Sequence, residues 1–195
     1  MFLAGMTRPD LSNSMRELGR RATSPYLRWR GLQHVLRSLA GTLDVCLRYG
    51  RGVNEPHEHV LVSYADSDWV DDAETRRSVT GYLLLMNKSP IVWRSKLQAS
   101  ITLSSSEAEW TAMVQGMHHY INIRGILQEI GFPQDTPPRF CDNRSAITAA
   151  TIAGFNGRTR HVDMKLKRSR EYVGKELFTA QYVSTNEQRA DILTK

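Results

Sequence analysis

Between residues 59 and 97 three apolar runs, "HVLVSYAD", "VTGYLLLM" and "PIVWRSK", follow one another across short polar breaks. Each is rich in β-branched and aromatic residues and bounded by turn formers, "NKS" among them, so the three read as an antiparallel meander. The pattern then changes. A long helix is expected from the serines of "SSSEAEW" to Gly131, a short strand at "PRFCD" and a helix at "NRSAITAAT". A basic helix at "HVDMKLKRSREYVGKEL", a strand at "FTAQYV" and a closing helix at "NEQRADILTK" complete the order. Three strands followed by alternating helices and strands restrict the chain to an α/β fold, a mixed sheet with helices packed on it.

The stretch before the meander reads differently. Residues 11–40 give two helices broken near "TSPY", where Ser24 fits a cap and Pro25 a first helical position. In the second, Leu32, Val35, Leu36 and Leu39 form a one-sided stripe. "LDVCLRYG" alternates like a strand, and the polar segment 51–59, "RGVNEPHEH", reads as a linker. The expected organisation is therefore a small helical segment (1–50), a linker (51–59) and a sheet domain (60–195). A hydrophobic fraction of 41% is enough for a core. Cys46 and Cys141 are too few for a disulfide framework and fit a reducing compartment. No apolar run approaches the roughly 18 residues that span a bilayer. The start, "MFLAGMTRPD", is interrupted too soon by Arg8-Pro9-Asp10 for a secretory signal. The expectation is an intracellular chain with no membrane partner.

The formal charge is +6, which favours a polyanionic partner. Against that background four aspartates crowd into "YADSDWVDD": Asp66, Asp68, Asp71 and Asp72. On a strand Asp66 and Asp68 project to one face, while Asp71 and Asp72 fall in the following turn. The long helix offers Glu107 and Glu109, roughly 200° apart around its axis, so only one can face the sheet. Glu109 lies one turn before Met113, on the apolar side with Met117, Tyr120 and Ile121. Glu107 stands three positions after Ser104 and completes a capping box. An inward carboxylate at Glu109 is costly unless it is paired or holds a cation. Asp142 alone would read as a helix N-cap, and Asp191 alone as an ordinary helix acid. Together Asp66, Glu109, Asp142 and Asp191 come from two strand ends and two helices, which a sheet-and-helix fold can bring to one edge. Four carboxylates without a His/Cys set suit Mg²⁺ or Mn²⁺ and not zinc. Two such ions about 4 Å apart support phosphodiester hydrolysis, a chemistry that matches a nucleic-acid partner.

From Ala65 to Lys195 the chain resembles the ribonuclease H domain of copia-type (Ty1/copia) retrotransposon polyproteins. The resemblance rests on "YADSDW", "RRSVTGYLLLM", "PIVWRSKLQ", "LSSSEAEW", "FCDNRSAI", "RTRHVD" and "RADILTK", in the family's order and at similar spacing. Residues 1–50 resemble the end of the preceding reverse transcriptase, its thumb and connection helices, through "TRPDL", "SPYLRWRGLQHVLRSLAGT" and "LRYG". The resemblance implies a ribonuclease H-like five-stranded mixed sheet with flanking helices. It also implies hydrolysis of the RNA strand of RNA–DNA hybrids by two Mg²⁺ (or Mn²⁺), the metal set falling on Asp66, Glu109, Asp142 and Asp191. The upstream polymerase domain is then a partner, and the cytoplasm, within virus-like particles, the expected location. Asp68 and Glu107 are the neighbouring alternatives in their motifs.

Two departures stand out. Cellular ribonucleases H often carry a mobile His shortly before the last Asp, and "VSTNEQRAD" has none. His161, in "RTRHVD", is an auxiliary candidate that would assist the chemistry or hold Asp163, although a lone His is more often structural. "WVDD" superficially resembles the polymerase Y-x-D-D signature, but only about 50 mainly helical residues precede the domain, too few for a polymerase palm. Hybrids are read by shape, 2′-hydroxyls and phosphates. Asn143 and Arg144, beside the metal motif, and Lys165, Lys167, Arg168 and Arg170, on the basic helix, are candidates for those contacts. For the last four a solvated charged face is the equal alternative. Trp93 and Trp110 read as core, not as base-stacking platforms. Integrases, which share the carboxylate logic, use fewer acids at other spacings. A module that grips hybrid without cutting it, and an inactive transposon relic, remain open as competing readings.

Overall fold

The computed structural model describes residues 2–20, 26, 29–50, 60–70, 74–134, 138–151, 171–172, 174–175, 177 and 179–195. Five strands form one sheet: β1 (Leu61–Asp68), β2 (Val79–Met86), β3 (Ser89–Leu97), β4 (Pro138–Cys141) and β5 (Thr179–Tyr182), in the order β3-β2-β1-β4-β5. The meander β1-β2-β3 is antiparallel, whereas β4 and β5 join it in parallel. A two-residue turn links β2 to β3, with Asn87 at φ 49° and Lys88 at φ 64°. Both central residues are left-handed, which matches the twist of a tight hairpin. Pro90 and a register shift sit early in β3, an edge strand where a missing N–H is tolerated.

β2 reads as an unbroken apolar run because both of its faces are covered. On one face Tyr82 and Leu84, with Leu61 of β1, pack against Met117, Tyr120 and Leu127 of the long helix α4 (Ser105–Glu129). On the other, Leu83 and Leu85 pack against Ala190 and Leu193 of the C-terminal segment. Ala65 and Cys141 meet Trp110 and Met113, so Trp110, 2% exposed, is core as expected. α4 starts as its sequence predicts. Ser104 Oγ accepts from Glu107 N at 3.1 Å, and Glu107 Oε2 accepts from Leu103 N at 2.8 Å.

The N-terminal segment consists of α1 (Phe2–Met6), a 3-10 turn (Pro9–Leu11), α2 (Ser12–Arg20) and α3 (Trp29–Gly41) around Ala4, Leu11 and Val35. It lies against β3: the Trp93 indole N–H donates to Ala4 O at 2.7 Å. Trp93 is thus partly buried under α1, not presented to solvent.

Three expectations are corrected. The stripe on α3 is only half used: Val35 and Leu39 pack inward, whereas Leu32 and Leu36 are exposed, because a single layer of neighbouring helix covers one side of α3. "LDVCLRYG" is no strand; it meets β3 through side-chain bonds, Tyr49 Oη donating to Pro90 O (2.7 Å) and Ser89 Oγ to Arg48 O (3.3 Å). An edge that opens with Pro90 and a register shift offers no regular ladder to join. "NEQRADILTK" is not one helix but two 3-10 turns, Thr185–Glu187 and Asp191–Leu193. Gln188 between them is extended (φ −71°, ψ 99°) and spends its side chain on Ala65 O at 2.9 Å. The Ser24–Pro25 break, the 51–59 linker and nearly all of the basic helix lie outside the described residues.

Candidate metal centre

The four acids arrive at one end of the sheet by different routes. β1 carries Asp66, only 5% exposed, opposite Gly81 of β2. α4 buries Glu109, 7% exposed, on the side that also carries Trp110 and Met113, while Glu107 stays in the cap. The helical-face reasoning therefore picks the inward glutamate. β4 ends at Cys141, and Asp142 follows, its Oδ2 accepting from Thr185 Oγ1 at 3.0 Å. Asp191 opens the last 3-10 turn, where the Lys195 ammonium pairs with it.

Asp142 is not the helix cap. Asn143 takes that job, its Oδ1 accepting from Ala146 N at 3.0 Å at the start of α5 (Arg144–Thr151). This frees Asp142 to face the other acids. One ligand atom each of Glu109, Cys141 and Asp142 lies within 4.8 Å of the other two. Burial, and then the charges of Asp66 and Asp142, push the Glu109 carboxyl up to about 9, with Ser67 offsetting part of the rise. Burial likewise raises Asp66 to about 6; the Thr194 hydroxyl bond opposes this, while Asp142 and Asp191 add to it. Mutual repulsion thus links all four acids electrostatically.

Such a set fits a hard divalent cation. The raised carboxyls of Glu109 and Asp66 mark a place where burial disfavours uncompensated negative charge, and a bound cation relieves that cost. The one soft donor present, the Cys141 thiol, is pushed up to about 12 by burial and then by Glu109, so it stays protonated and is a poor ligand. Oxygen donors remain, the preference of Mg²⁺ and Mn²⁺.

The other candidates are placed as follows. Asp68 ends β1 on the strand face of Asp66, as the pleat requires. Arg144 lies over the Tyr182 ring at 4.4 Å, so its guanidinium is anchored beside the centre. Asp71, Asp72, His161, Asp163, Lys165, Lys167, Arg168 and Arg170 lie outside the described residues. Sequence reasoning missed Gly81, Gln188 and Thr194. A Cβ on Gly81 would stand 2.8 Å from Thr194 Cγ2, 2.9 Å from Ala190 O and 2.9 Å from Leu193 Cβ. The glycine inside an otherwise bulky strand was the available signal; Gln188 and Thr194 carried none.

Beside the centre an open cleft of about 700 Å³ is lined by Tyr64, Phe140, Tyr182 and residues 183–184 and 186–189. Tyr64 and Phe140 stack at 5.0 Å across β1 and β4, and the Arg189 guanidinium sits 5.7 Å from the Tyr64 ring.

No family model matches the chain. It is 34% identical over its whole length to the retrovirus-related Pol polyprotein from transposon TNT 1-94 of Nicotiana tabacum. Over 97% of its length it is 33% identical to that from transposon RE2 of Arabidopsis thaliana. It spans 14% and 13% of those two polyproteins. A shorter similarity, 40% identity over 114 residues, covers 58% of this chain and 78% of the secreted RxLR effector protein 161 of Plasmopara viticola. Among solved structures, LC11-RNase H1, isolated from compost by a metagenomic approach, superimposes at a TM-score of 0.51 over 69% of this chain and 92% of that one. With 11% identity, that likeness is one of fold.

Proposed function

Because the chain belongs to the retrovirus-related Pol polyproteins of copia-type transposons and folds like ribonuclease H, we propose that it is a metal-dependent endonuclease cutting the RNA strand of RNA–DNA hybrids during reverse transcription. The observation that supports this reading is the close approach of Glu109 and Asp142 at one end of the sheet, with the buried Asp66 feeling the charges of Asp142 and Asp191. These four residues would hold the divalent cations. Bound there, a pair of Mg²⁺ or Mn²⁺ ions supplies an activated water and stabilises the departing oxygen of the phosphodiester.

The chain's own contribution is arrangement. Glu109 is carried by the first turns of α4, whose helix start four residues earlier is fixed by the Ser104 cap. Asp66 is oriented by the Thr194 hydroxyl and Asp142 by Thr185. Arg144, anchored on Tyr182, offers a cation to phosphates that the acids would otherwise repel. Asn143, with its oxygen committed to the cap, retains its amide N–H groups for a 2′-hydroxyl. Lys165, Lys167, Arg168 and Arg170 would add further phosphate contacts in the same reading. Phe2, Leu3, Met6 and Trp29 leave apolar surface exposed on the N-terminal segment, which supports contact with an upstream polymerase domain.

The test is Mg²⁺-dependent cleavage of a labelled RNA strand annealed to DNA, with single-stranded RNA as control. Cleavage of the hybrid alone is expected, with a loss of at least 100-fold in Asp142→Asn. Equal cleavage by the variant would overturn the assignment. A folded native chain that binds hybrid with no cleavage would leave the non-cutting module as its function.

A further inference from the structure

Asp66 sits in a nearly closed place, and one hydrogen-bond donor reaches its carboxylate from the far end of the chain. Thr194, 1% exposed, donates its hydroxyl to Asp66 Oδ2. That hydroxyl has a single proton and a second acceptor, Asp191 O at 3.0 Å. The charged, closer carboxylate takes the proton. Thr194 in turn is seated by two features outside its own segment. Gly81, the cross-strand partner of Asp66, leaves the gap that its Cγ2 fills. Its carbonyl accepts from Asn13 Nδ2 at 3.0 Å, a contact across 181 residues.

The amide of Asn13 is itself fixed. Its Oδ1 accepts from Arg16 Nε (3.0 Å), Arg16 Nη2 (2.8 Å) and Ser95 Oγ (3.2 Å). Three donors on the oxygen leave no ambiguity about which end is nitrogen, and that nitrogen points at Thr194. Arg16 is 9% exposed, so the arrangement is built into packed structure between α2, β3 and the last turn.

We propose that Thr194 is a positioning residue for Asp66 and that Asn13 holds Thr194 in place, making the N-terminal helical segment a working part of the carboxylate centre. The proposal rests on the reading of that centre as a divalent-cation site. Partners that orient a ligand typically change cation affinity by 10- to 100-fold when removed.

The experiment is calorimetric titration of the full chain with Mn²⁺, alongside hybrid cleavage and thermal melting, for Thr194→Val, Thr194→Ser and Asn13→Asp. Thr194→Val keeps shape and loses the donor; about tenfold weaker Mn²⁺ binding is expected, with a lower kcat at unchanged KM. Thr194→Ser keeps the hydroxyl and is expected within about twofold of the native chain. Asn13→Asp keeps the acceptor for Arg16 and Ser95 but removes the donor to Thr194. Its added negative charge would by itself tighten cation binding, so weaker binding isolates the positional effect. Native-like Mn²⁺ affinity in Thr194→Val overturns the role of Thr194; an unmoved Thr194 in a crystal structure of Asn13→Asp overturns the role of the N-terminal segment. If Thr194→Val fails to fold, the serine and Asn13 variants still decide. Mn²⁺ binding without hybrid cleavage by the native chain refutes the nuclease and leaves the positioning comparison intact. If the native chain binds no Mn²⁺, crystal structures of native and Thr194→Val proteins decide, and an unmoved Asp66 carboxylate overturns the proposal.

Discussion

Glu109 and Arg139 are both ionisable groups carried into the interior, and the structure treats them in opposite ways. Glu109 is desolvated and then repelled by neighbouring acids, and its carboxyl rises from 4.5 to about 9. In the unfolded chain the same group ionises near 4.5. Between those values the folded protein keeps a proton that the unfolded one releases, so this contribution to stability is full below pH 4.5 and is lost as pH rises towards 9. Cation-free protein should therefore lose about 1 kcal/mol per pH unit relative to Glu109→Gln between pH 5 and 8. Urea titrations across that range check this; parallel pH profiles would refute it. Arg139 is 1% exposed, and among the described residues its Nε, Nη1 and Nη2 find no hydrogen-bond acceptor. It lies under Gly116, where a Cβ would come within 2.6 Å of its Nη2. An unpaired buried charge is costly, so Arg139→Met should raise unfolding stability by about 2 kcal/mol, measured from the denaturation midpoint. A lower midpoint would show that the guanidinium is worth more than its desolvation cost.

At the scale of elements, what the sequence discloses is set by whether local pattern and tertiary demand agree. β1, β2, β3 and α4 were legible because alternation, β-branching and a capping box all point the same way. The Asn87-Lys88 turn was marked by turn residues, although which turn it is depends on backbone angles. "LDVCLRYG" has the pattern of a strand without an edge to pair with. The last segment fails for the converse reason: its helix-like composition is overridden by the need to lay Gln188, Ala190, Leu193 and Thr194 flat against the sheet. That seat depends on Gly81. Gly81→Ala should leave the meander intact by circular dichroism yet raise the Asp191–Leu193 turn, because Ala190 O is backbone and cannot swing aside. At least tenfold weaker Mn²⁺ binding is expected, and an unchanged isotherm would show that the turn tolerates the methyl group.

For the whole molecule, the fold class was readable because motif order stands in for spatial order within one domain. The supporting contacts were not. Thr194 and Asn13 look like any surface threonine and asparagine until the chain ends are brought together. The separation of the two has a consequence for synthesis. As a chain leaves the ribosome, β1, β2, β3 and α4 can assemble from neighbours in sequence, and Asn13 is ready early. Asp66 must wait 128 residues for its hydroxyl partner. Long-range closure of this kind comes late in folding. A nascent chain would thus carry a sheet with its carboxylates unarranged until the segment around Thr194 has emerged and docked.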